Sequence, residues 1–279
     1  MNIDYEDVLN RIHGIYNSCS AQEKTMLRKI LDEISKNGDS ETLERIWLAD
    51  FKEVPVSIER FLKDPEYLGN TNNNGEMVYP GWWPVYHDVF NNPDIFEICL
   101  SGATRIGKTS TAVSCMAYMT YLLMCYRNPQ KYFKLKDISR ITIAFANLTK
   151  DLAAGVAFHE YQTTLKESKW FQDHGRFSSS VNNPIYYPEG DKIDIIPASD
   201  AAHVLGMQLW ACALDEVNFQ RAGVKDINIS KNHMKTLYNT ANARITGTFR
   251  LKGRVYGKLF SCSSKNTDSD YLSEHIQEE

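Results

Sequence analysis

A phosphate-binding pattern occupies residues 102–109, where Gly102, Gly107, Lys108 and Thr109 satisfy the P-loop spacing G-x-x-x-x-G-K-[ST]. Glycines at these positions let backbone N–H groups turn toward phosphate oxygens, because no Cβ stands in the way. The ammonium of Lys108 would reach the β- and γ-phosphates, and the hydroxyl of Thr109 would ligate Mg²⁺. The pattern predicts a nucleotide-binding loop made of Gly102, Ala103, Thr104, Arg105, Ile106, Gly107, Lys108, Thr109 and Ser110.

Two neighbouring carboxylates end the apolar run LWACALDE at residues 209–216. The run predicts a buried strand, and α/β sheets place their ligand crevice at the carboxyl ends of strands. Asp215 would therefore hold Mg²⁺ together with Thr109, while Glu216 would orient and polarise the attacking water. A strand that ends in solvated acids is the ordinary alternative for this run alone. Combined with the P-loop pattern, the run indicates a site that hydrolyses a nucleotide.

A cluster of hydroxyl groups follows the strand-like run KLFSCS near the end of the sequence. Ser261, Ser263 and Ser264 could sense the γ-phosphate through hydrogen bonds and move when it leaves. Simple turn chemistry is the alternative for these serines.

Aromatic residues are concentrated just before the P-loop strand, in GWWPVYHDVF. The adenine of a nucleotide usually needs a flat apolar wall. Trp83 or Tyr86 could supply that wall, and His87 could hydrogen-bond the base. Packing in the core is the alternative for Trp82 and Trp83.

The elements that must position these residues can be predicted from apolar runs and breaker residues. Residues 96–101, 141–147 and 193–199 read as strands, and the apolar run 112–126 reads as a buried helix. A further helix is predicted over residues 151–167, with Thr149 as its cap. The sequence also predicts N-terminal helices over 1–52, an ATPase domain over 53–279, an irregular connection over 53–83 and a surface insertion over 170–190.

Composition restricts the function classes. The chain has 279 residues, a net charge of −4 and a pI of about 6.0, so DNA contact would need a local basic patch or another domain. Its six cysteines show no metal-ligand spacing, and the N-terminus has no secretory pattern. The longest apolar run is too short to span a bilayer. We therefore expect a protein of the cytoplasm with no membrane contact.

The chain contains, in this order, EVPVSIERFLKDPEYLGN, GEMVYP, SGATRIGKTSTA, CALDEVNF and CSSKNTDSDYL. These segments resemble the ATPase half of the large subunit of tailed-phage terminases, the ATP-driven DNA-packaging motors. The resemblance implies an α/β P-loop NTPase of the additional-strand type, with a mostly parallel sheet flanked by helices, that hydrolyses ATP with Mg²⁺. It also implies a coupling motif formed by Ser261, Cys262, Ser263 and Ser264.

Further roles and partners come only from this resemblance. Arg105 would stabilise charge beside the γ-phosphate, and Arg244 and Arg250 are candidates for an arginine finger or for DNA contact. The implied partners are double-stranded DNA, the portal protein, a small terminase subunit and further copies of the chain in a ring on the portal. The implied place is the cytoplasm of a phage-infected bacterium. Family members normally continue into a nuclease domain, which the residues after the coupling motif cannot form, so we expect no nuclease activity from this chain.

Other functions remain open at this stage. A helicase-like DNA-dependent ATPase is the main alternative, and it predicts a second P-loop-like domain. A nucleotide kinase would need a pocket for the acceptor nucleotide. A binding module with an inactive P-loop is a third alternative, but the presence of Lys108, Thr109, Asp215 and Glu216 argues against it.

Overall fold

A computed structural model describes residues 50–147, 149–175, 185–186, 193–218, 227–251, 253–264 and 271–278. Nearly all of the predicted N-terminal helical region lies outside the described residues. The proposed division of the chain at residue 52 therefore stays a prediction.

A six-stranded sheet forms the centre of the described part of the chain. Its strands are β1 (Glu97–Gly102), β2 (Ile141–Ala146), β3 (Ile185–Tyr186), β4 (Ile193–Ala198), β5 (Gln208–Asp215) and β8 (Lys258–Ser264). A separate hairpin of β6 (Arg250–Leu251) and β7 (Arg254–Val255) precedes β8. The sheet has the order β1-β8-β5-β2-β4-β3, and only the pairing of β3 with β4 is antiparallel. This arrangement confirms the predicted α/β fold with a mostly parallel sheet.

The position of β8 defines the type of P-loop fold. This strand is last in the sequence, yet it lies between the P-loop strand β1 and the acid-bearing strand β5. In the register of the sheet, Gly102 lies opposite Ser264, and Asp215 lies opposite Cys262. The inserted strand confirms the additional-strand type. It also brings the three predicted motifs to the carboxyl edge of the sheet.

Helices cover the sheet. They are α1 (Ile58–Lys63), α2 (Trp83–Asn91), α3 (Lys108–Cys125), α4 (Pro129–Tyr132), α5 (Lys150–Gly155), α6 (Ala157–Glu167), α7 (Lys169–His174), α8 (Ala201–Val204), α9 (Ile227–Thr248) and α10 (Tyr271–Glu278). Nearly every side chain of α3 is buried, which confirms the buried helix predicted after the P-loop. Among the described residues, no helix combines the length and the apolar character needed to cross a membrane.

The segment before the aromatic cluster is more ordered than its composition predicted. Ser57 caps α1 by accepting a hydrogen bond from the backbone N–H of Arg60 at 3.2 Å. Phe61 and Leu62 of this helix are fully buried, and the Tyr118 hydroxyl of α3 donates to the Val56 carbonyl at 2.6 Å. The prediction of an irregular connection is wrong here, because the apolar spacing within this proline-rich stretch outweighs its turn residues.

Two further predictions differ from the structure. The single helix predicted over 151–167 is divided into α5 and α6 at Val156, whose φ of −117° and ψ of −88° are not helical. The predicted surface insertion begins instead with α7, where Trp170 is 4% exposed and Phe171 is fully buried. Polarity averaged over that segment concealed its two large apolar residues. The polar stretch 176–184 lies outside the described residues.

Candidate nucleotide site

The loop that carries the phosphate-binding pattern runs from the end of β1 to the first residue of α3. Gly102 has a φ of +148° and Gly107 a φ of +84°, conformations that L side chains rarely adopt. A Cβ at Gly102 would also stand 2.7 Å from the Cδ1 atom of Ile106. Both glycines are therefore required by the backbone path of the loop. This path ends at the N-terminus of a long helix, where anions bind favourably.

The side chain of Lys108 forms hydrogen bonds with its own loop and with β8. Its Nζ atom donates to the carbonyls of Gly102 at 3.1 Å and Ala103 at 2.6 Å, and to the Ser264 hydroxyl at 3.2 Å. An ammonium group has three donors, so these acceptors use all of them. The side chain is only 8% exposed. Phosphate oxygens can bind this ammonium only by replacing at least one of the three acceptors.

Thr109 and Asp215 meet across the sheet edge, 106 positions apart in the sequence. The Thr109 hydroxyl donates to Asp215 Oδ1 at 3.3 Å. Burial, and then the charge of Glu216, raise the pKa of Asp215 to about 6, and the Thr109 hydrogen bond opposes this shift. A hydroxyl beside a buried carboxylate is a set of hard oxygen ligands, and a divalent cation would relieve the cost of the buried negative charge. The pair therefore fits Mg²⁺.

Glu216 has a backbone conformation that is unusual for a residue with a side chain. Its φ is +57°, and its Oε2 atom is buried with no hydrogen-bond partner among the described residues. Burial raises the pKa of its carboxyl, and the nearby charge of Lys108 opposes that shift. Strained backbone and an unsatisfied buried acceptor cost stability, and both are characteristic of functional sites. This carboxylate oxygen is therefore an acceptor that is available for a hydrogen bond from a water molecule in the site.

The four residues of the predicted coupling motif lie on β8 and differ in their surroundings. The Ser264 hydroxyl contacts Lys108, and the Ser263 hydroxyl accepts from the backbone N–H of Asn218 at 3.1 Å. Cys262 is buried in the core. The Ser261 hydroxyl is fully buried and has no hydrogen-bond partner within the described residues. The contact with the P-loop is therefore made by Ser264.

The predicted arginines lie in different parts of the molecule. Arg105 is exposed within the P-loop at a φ of +64°, and its role at the γ-phosphate stays a prediction. Arg250 belongs to the hairpin that precedes Lys258, the first residue of β8. Arg244 lies near the end of α9, where the Thr248 hydroxyl donates to a residue at the start of β5. Their roles as an arginine finger or in DNA contact stay predictions.

The aromatic residue that contacts the loop is Trp82, whose Nε1 atom donates to the Ile106 carbonyl at 2.6 Å. Trp83 instead packs under the ammonium of Lys63, 4.9 Å from the ring centroid. Tyr86 is 2% exposed, and burial raises its pKa. This burial argues against Tyr86 as an adenine wall, whereas Trp83 is partly accessible and its role stays a prediction. Two adjacent tryptophans in a sequence give no indication of which one turns toward the loop.

Sequence reasoning also missed Asn218, which lies two residues after Glu216. Its side chain donates to the Ser264 carbonyl and so connects the segment after β5 with the end of β8. The LDE pattern draws attention to acids, and no pattern identified a neutral amide beside them.

Comparison with known proteins agrees with this site. A family model described as "Uncharacterized protein MJ0330, N-terminal P-loop domain" matches residues 31–256, a span that includes the P-loop and both acids. No curated protein matches the chain. The match and the loop geometry together identify a nucleotide-binding domain of the P-loop NTPase class.

Proposed function

The chain belongs to the family of MJ0330-like N-terminal P-loop domains, and on the separate ground of its resemblance to tailed-phage terminases we propose that it is the ATPase motor domain of a viral terminase large subunit. In this role it hydrolyses Mg-ATP to move double-stranded DNA into a procapsid. The observation that carries the proposal is the 3.2 Å hydrogen bond from Lys108 to Ser264, which joins the phosphate-binding loop to the inserted strand. A contact of this kind can convert the state of a phosphate into movement.

Each step of hydrolysis has a residue suited to it. The loop N–H groups and the ammonium of Lys108 hold the phosphates, and Thr109 and Asp215 would hold Mg²⁺, which neutralises phosphate charge when bound. Glu216 orients a water molecule whose oxygen bonds to the γ-phosphorus as the bond to the bridging oxygen breaks. ADP carries away that electron pair, and the water proton passes toward the Glu216 carboxylate. Arg105 would stabilise the charge that develops on the γ-phosphoryl oxygens.

The motor role rests on the terminase resemblance and is supported by the local charge of the segment between α3 and β2. This segment has five exposed basic residues and one exposed acidic residue in a chain of net charge −4. The basic residues are Arg127, Lys131, Lys134, Lys136 and Arg140, and the acidic one is Asp137. Arg140 already forms an ion pair with Asp194, and the other four basic side chains, concentrated in this way, suit phosphate contacts with DNA. We propose that this segment contributes to the contact with duplex DNA.

Phosphate release from Mg-ATP by the purified chain tests this proposal, with linear duplex DNA, single-stranded DNA or no DNA added. We expect slow basal turnover that duplex DNA increases, with a further increase when the portal protein gathers several copies. Stimulation by single strands alone would favour the helicase-like alternative. Turnover that neither form of DNA changes would contradict a DNA motor while leaving the ATPase assignment intact. The matched variant is Lys136→Glu, which should reduce the effect of duplex DNA at low salt and leave basal turnover unchanged.

A further inference from the structure

Asn218 makes hydrogen bonds to two elements that are far from it in the sequence. Its backbone N–H donates to the Ser263 hydroxyl at 3.1 Å, and its Nδ2 atom donates to the Ser264 carbonyl at 2.9 Å. Its Oδ1 atom accepts from the backbone N–H of Leu272 at 2.8 Å. One side chain thus joins the end of β8 to the start of α10.

The bond to Leu272 caps α10 from a distant part of the chain. Leu272 is the second residue of this helix, and the first four N–H groups of a helix have no acceptor within it. The amide oxygen of Asn218 supplies one such acceptor. Leu272 is fully buried, so water cannot easily replace the amide there. The position of the start of α10 therefore depends on the position of Asn218.

The remainder of α10 is packed against β1 and α9. His275 Nε2 lies 2.5 Å from Glu97 Oε1, and the Tyr238 hydroxyl of α9 donates to Glu97 Oε2 at 2.7 Å. The rings of Tyr271 and His275 stack with centroids 5.8 Å apart. The helix is thus attached at one end through Asn218 and along its length through the edge strand. A shift of Asn218 would therefore change the contacts that hold the whole helix in place.

A change in the hydrogen bonds of Lys108 would begin such a shift. Two of its three acceptors are carbonyls of its own loop, whereas the Ser264 hydroxyl belongs to β8. We propose that Asn218 is a positioning residue that transmits the loss of the Lys108–Ser264 contact on nucleotide binding to α10. The proposal rests on the nucleotide site described under the proposed function. It assigns α10 as the element whose stability reports the nucleotide state.

Hydrogen exchange of the backbone amides of α10 tests this relay, with Mg²⁺ and a non-hydrolysable ATP analogue present or absent. In the wild-type chain we expect the analogue to change exchange in α10 by at least about threefold, since local opening follows local contacts. Asn218→Asp keeps an acceptor for Leu272 but removes the donor to Ser264. This variant should keep α10 protected and lose the response to the analogue. Asn218→Ala should exchange faster with and without the analogue.

Two controls separate coupling from general destabilisation. Asn242→Ala removes a 3.3 Å hydrogen bond to the Tyr238 hydroxyl, next to α10 but not to β8, so the response to the analogue should remain. Affinity for the analogue, measured by calorimetry, should stay within about threefold of wild type in every variant, because coupling rather than the site itself is changed. If Asn218→Ala does not fold, Asn218→Asp carries the test.

The outcomes distinguish the relay from the nucleotide site on which it rests. A response in Asn218→Asp equal to that of the wild type would overturn the role of Asn218. A wild-type chain that binds the analogue without any change in α10 would overturn the relay and leave the proposed ATPase standing. A wild-type chain that binds no nucleotide would overturn both.

Discussion

Two buried lysines lie at opposite edges of the same sheet, and their surroundings differ. Lys108 at the carboxyl edge is 8% exposed, and Lys258 at the amino edge is 7% exposed. Lys108 donates to three acceptors, one of which is Ser264, whereas Lys258 donates to the Ile95 carbonyl. A buried lysine with a hydrogen bond is therefore not by itself an indication of a ligand site.

The neighbouring charges explain the difference between the two edges. Near Lys108 lies Glu216, and the pKa values of Glu216 and of the adjacent Asp215 are both raised, so this edge has negative charge that a cation would stabilise. Beside Lys258 lies Arg254. Burial first, and then the charge of Arg254, lower the pKa of Lys258 to about 7. The amino edge reduces its electrostatic cost by losing a proton, while the carboxyl edge is suited to binding a metal and a phosphate.

Substitution of each lysine gives the largest expected contrast. Lys108→Ala should lower kcat for ATP hydrolysis by at least about 10²-fold, since it removes a donor to the phosphates. Lys258→Met should leave hydrolysis within about threefold of wild type. Its free energy of unfolding should be unchanged or raised, because an apolar side chain often replaces a buried charge without loss of stability.

Phosphate release and urea unfolding of both variants check this contrast. Wild-type protein under the same conditions is the control for each assay. Equal loss of hydrolysis in Lys258→Met and Lys108→Ala, with both variants folded, would show that the two edges do not differ in function as described.

The pH dependence of stability should also differ between the edges. Asp215 has a pKa of about 6 in the folded state, against an ordinary value of 3.8 for this carboxyl, so the folded state binds more protons between these values. Its contribution therefore lowers stability as pH rises through this range. Asp215→Asn should raise the free energy of unfolding at pH 8 by on the order of 1–3 kcal/mol, and should lose Mg²⁺-dependent hydrolysis.

Lys258 should act in a different pH window. Its folded pKa of about 7 lies below the ordinary lysine value of 10.5, so the unfolded state binds more protons between them. The lowered pKa of Lys258 makes stability increase as pH rises from about 7 toward 10.5, and Lys258→Met should remove that increase. Urea unfolding from pH 4 to pH 10 measures both effects. Superimposable pH profiles for the wild type, Asp215→Asn and Lys258→Met would contradict them.

Much of the carboxyl edge could be predicted from local sequence. The P-loop needs glycines at fixed positions because the backbone there has positive φ, and LWACALDE is apolar because β5 is buried on both faces. The insertion of β8 between β1 and β5 could not be predicted from local sequence. No local pattern encodes which strands are neighbours, and only the resemblance to a known family implied that order.

The remaining features depend on tertiary contacts that single residues do not encode. Trp82 rather than Trp83 contacts the loop, with its Nε1 atom on the Ile106 carbonyl. Asn218 matters because β8 and α10 both form hydrogen bonds with it. The helix is interrupted at Val156, directly after Gly155, a residue with low helix propensity. At the amino edge, Lys258 belongs to no sequence motif. Its burial becomes evident only when the neighbouring elements are assembled.

Glu216→Gln is the variant that tests water activation at the carboxyl edge most directly, because the amide keeps the shape of the side chain and removes its charge. Phosphate release and ATP affinity should be measured on the same preparation with Mg²⁺ present. We expect ATP to bind with an affinity near that of the wild type and phosphate release to fall by at least about 10²-fold, the pattern of a group that acts in the transition state. Hydrolysis at the wild-type rate in Glu216→Gln would contradict the assignment of this carboxylate and of the hydrolytic site around it.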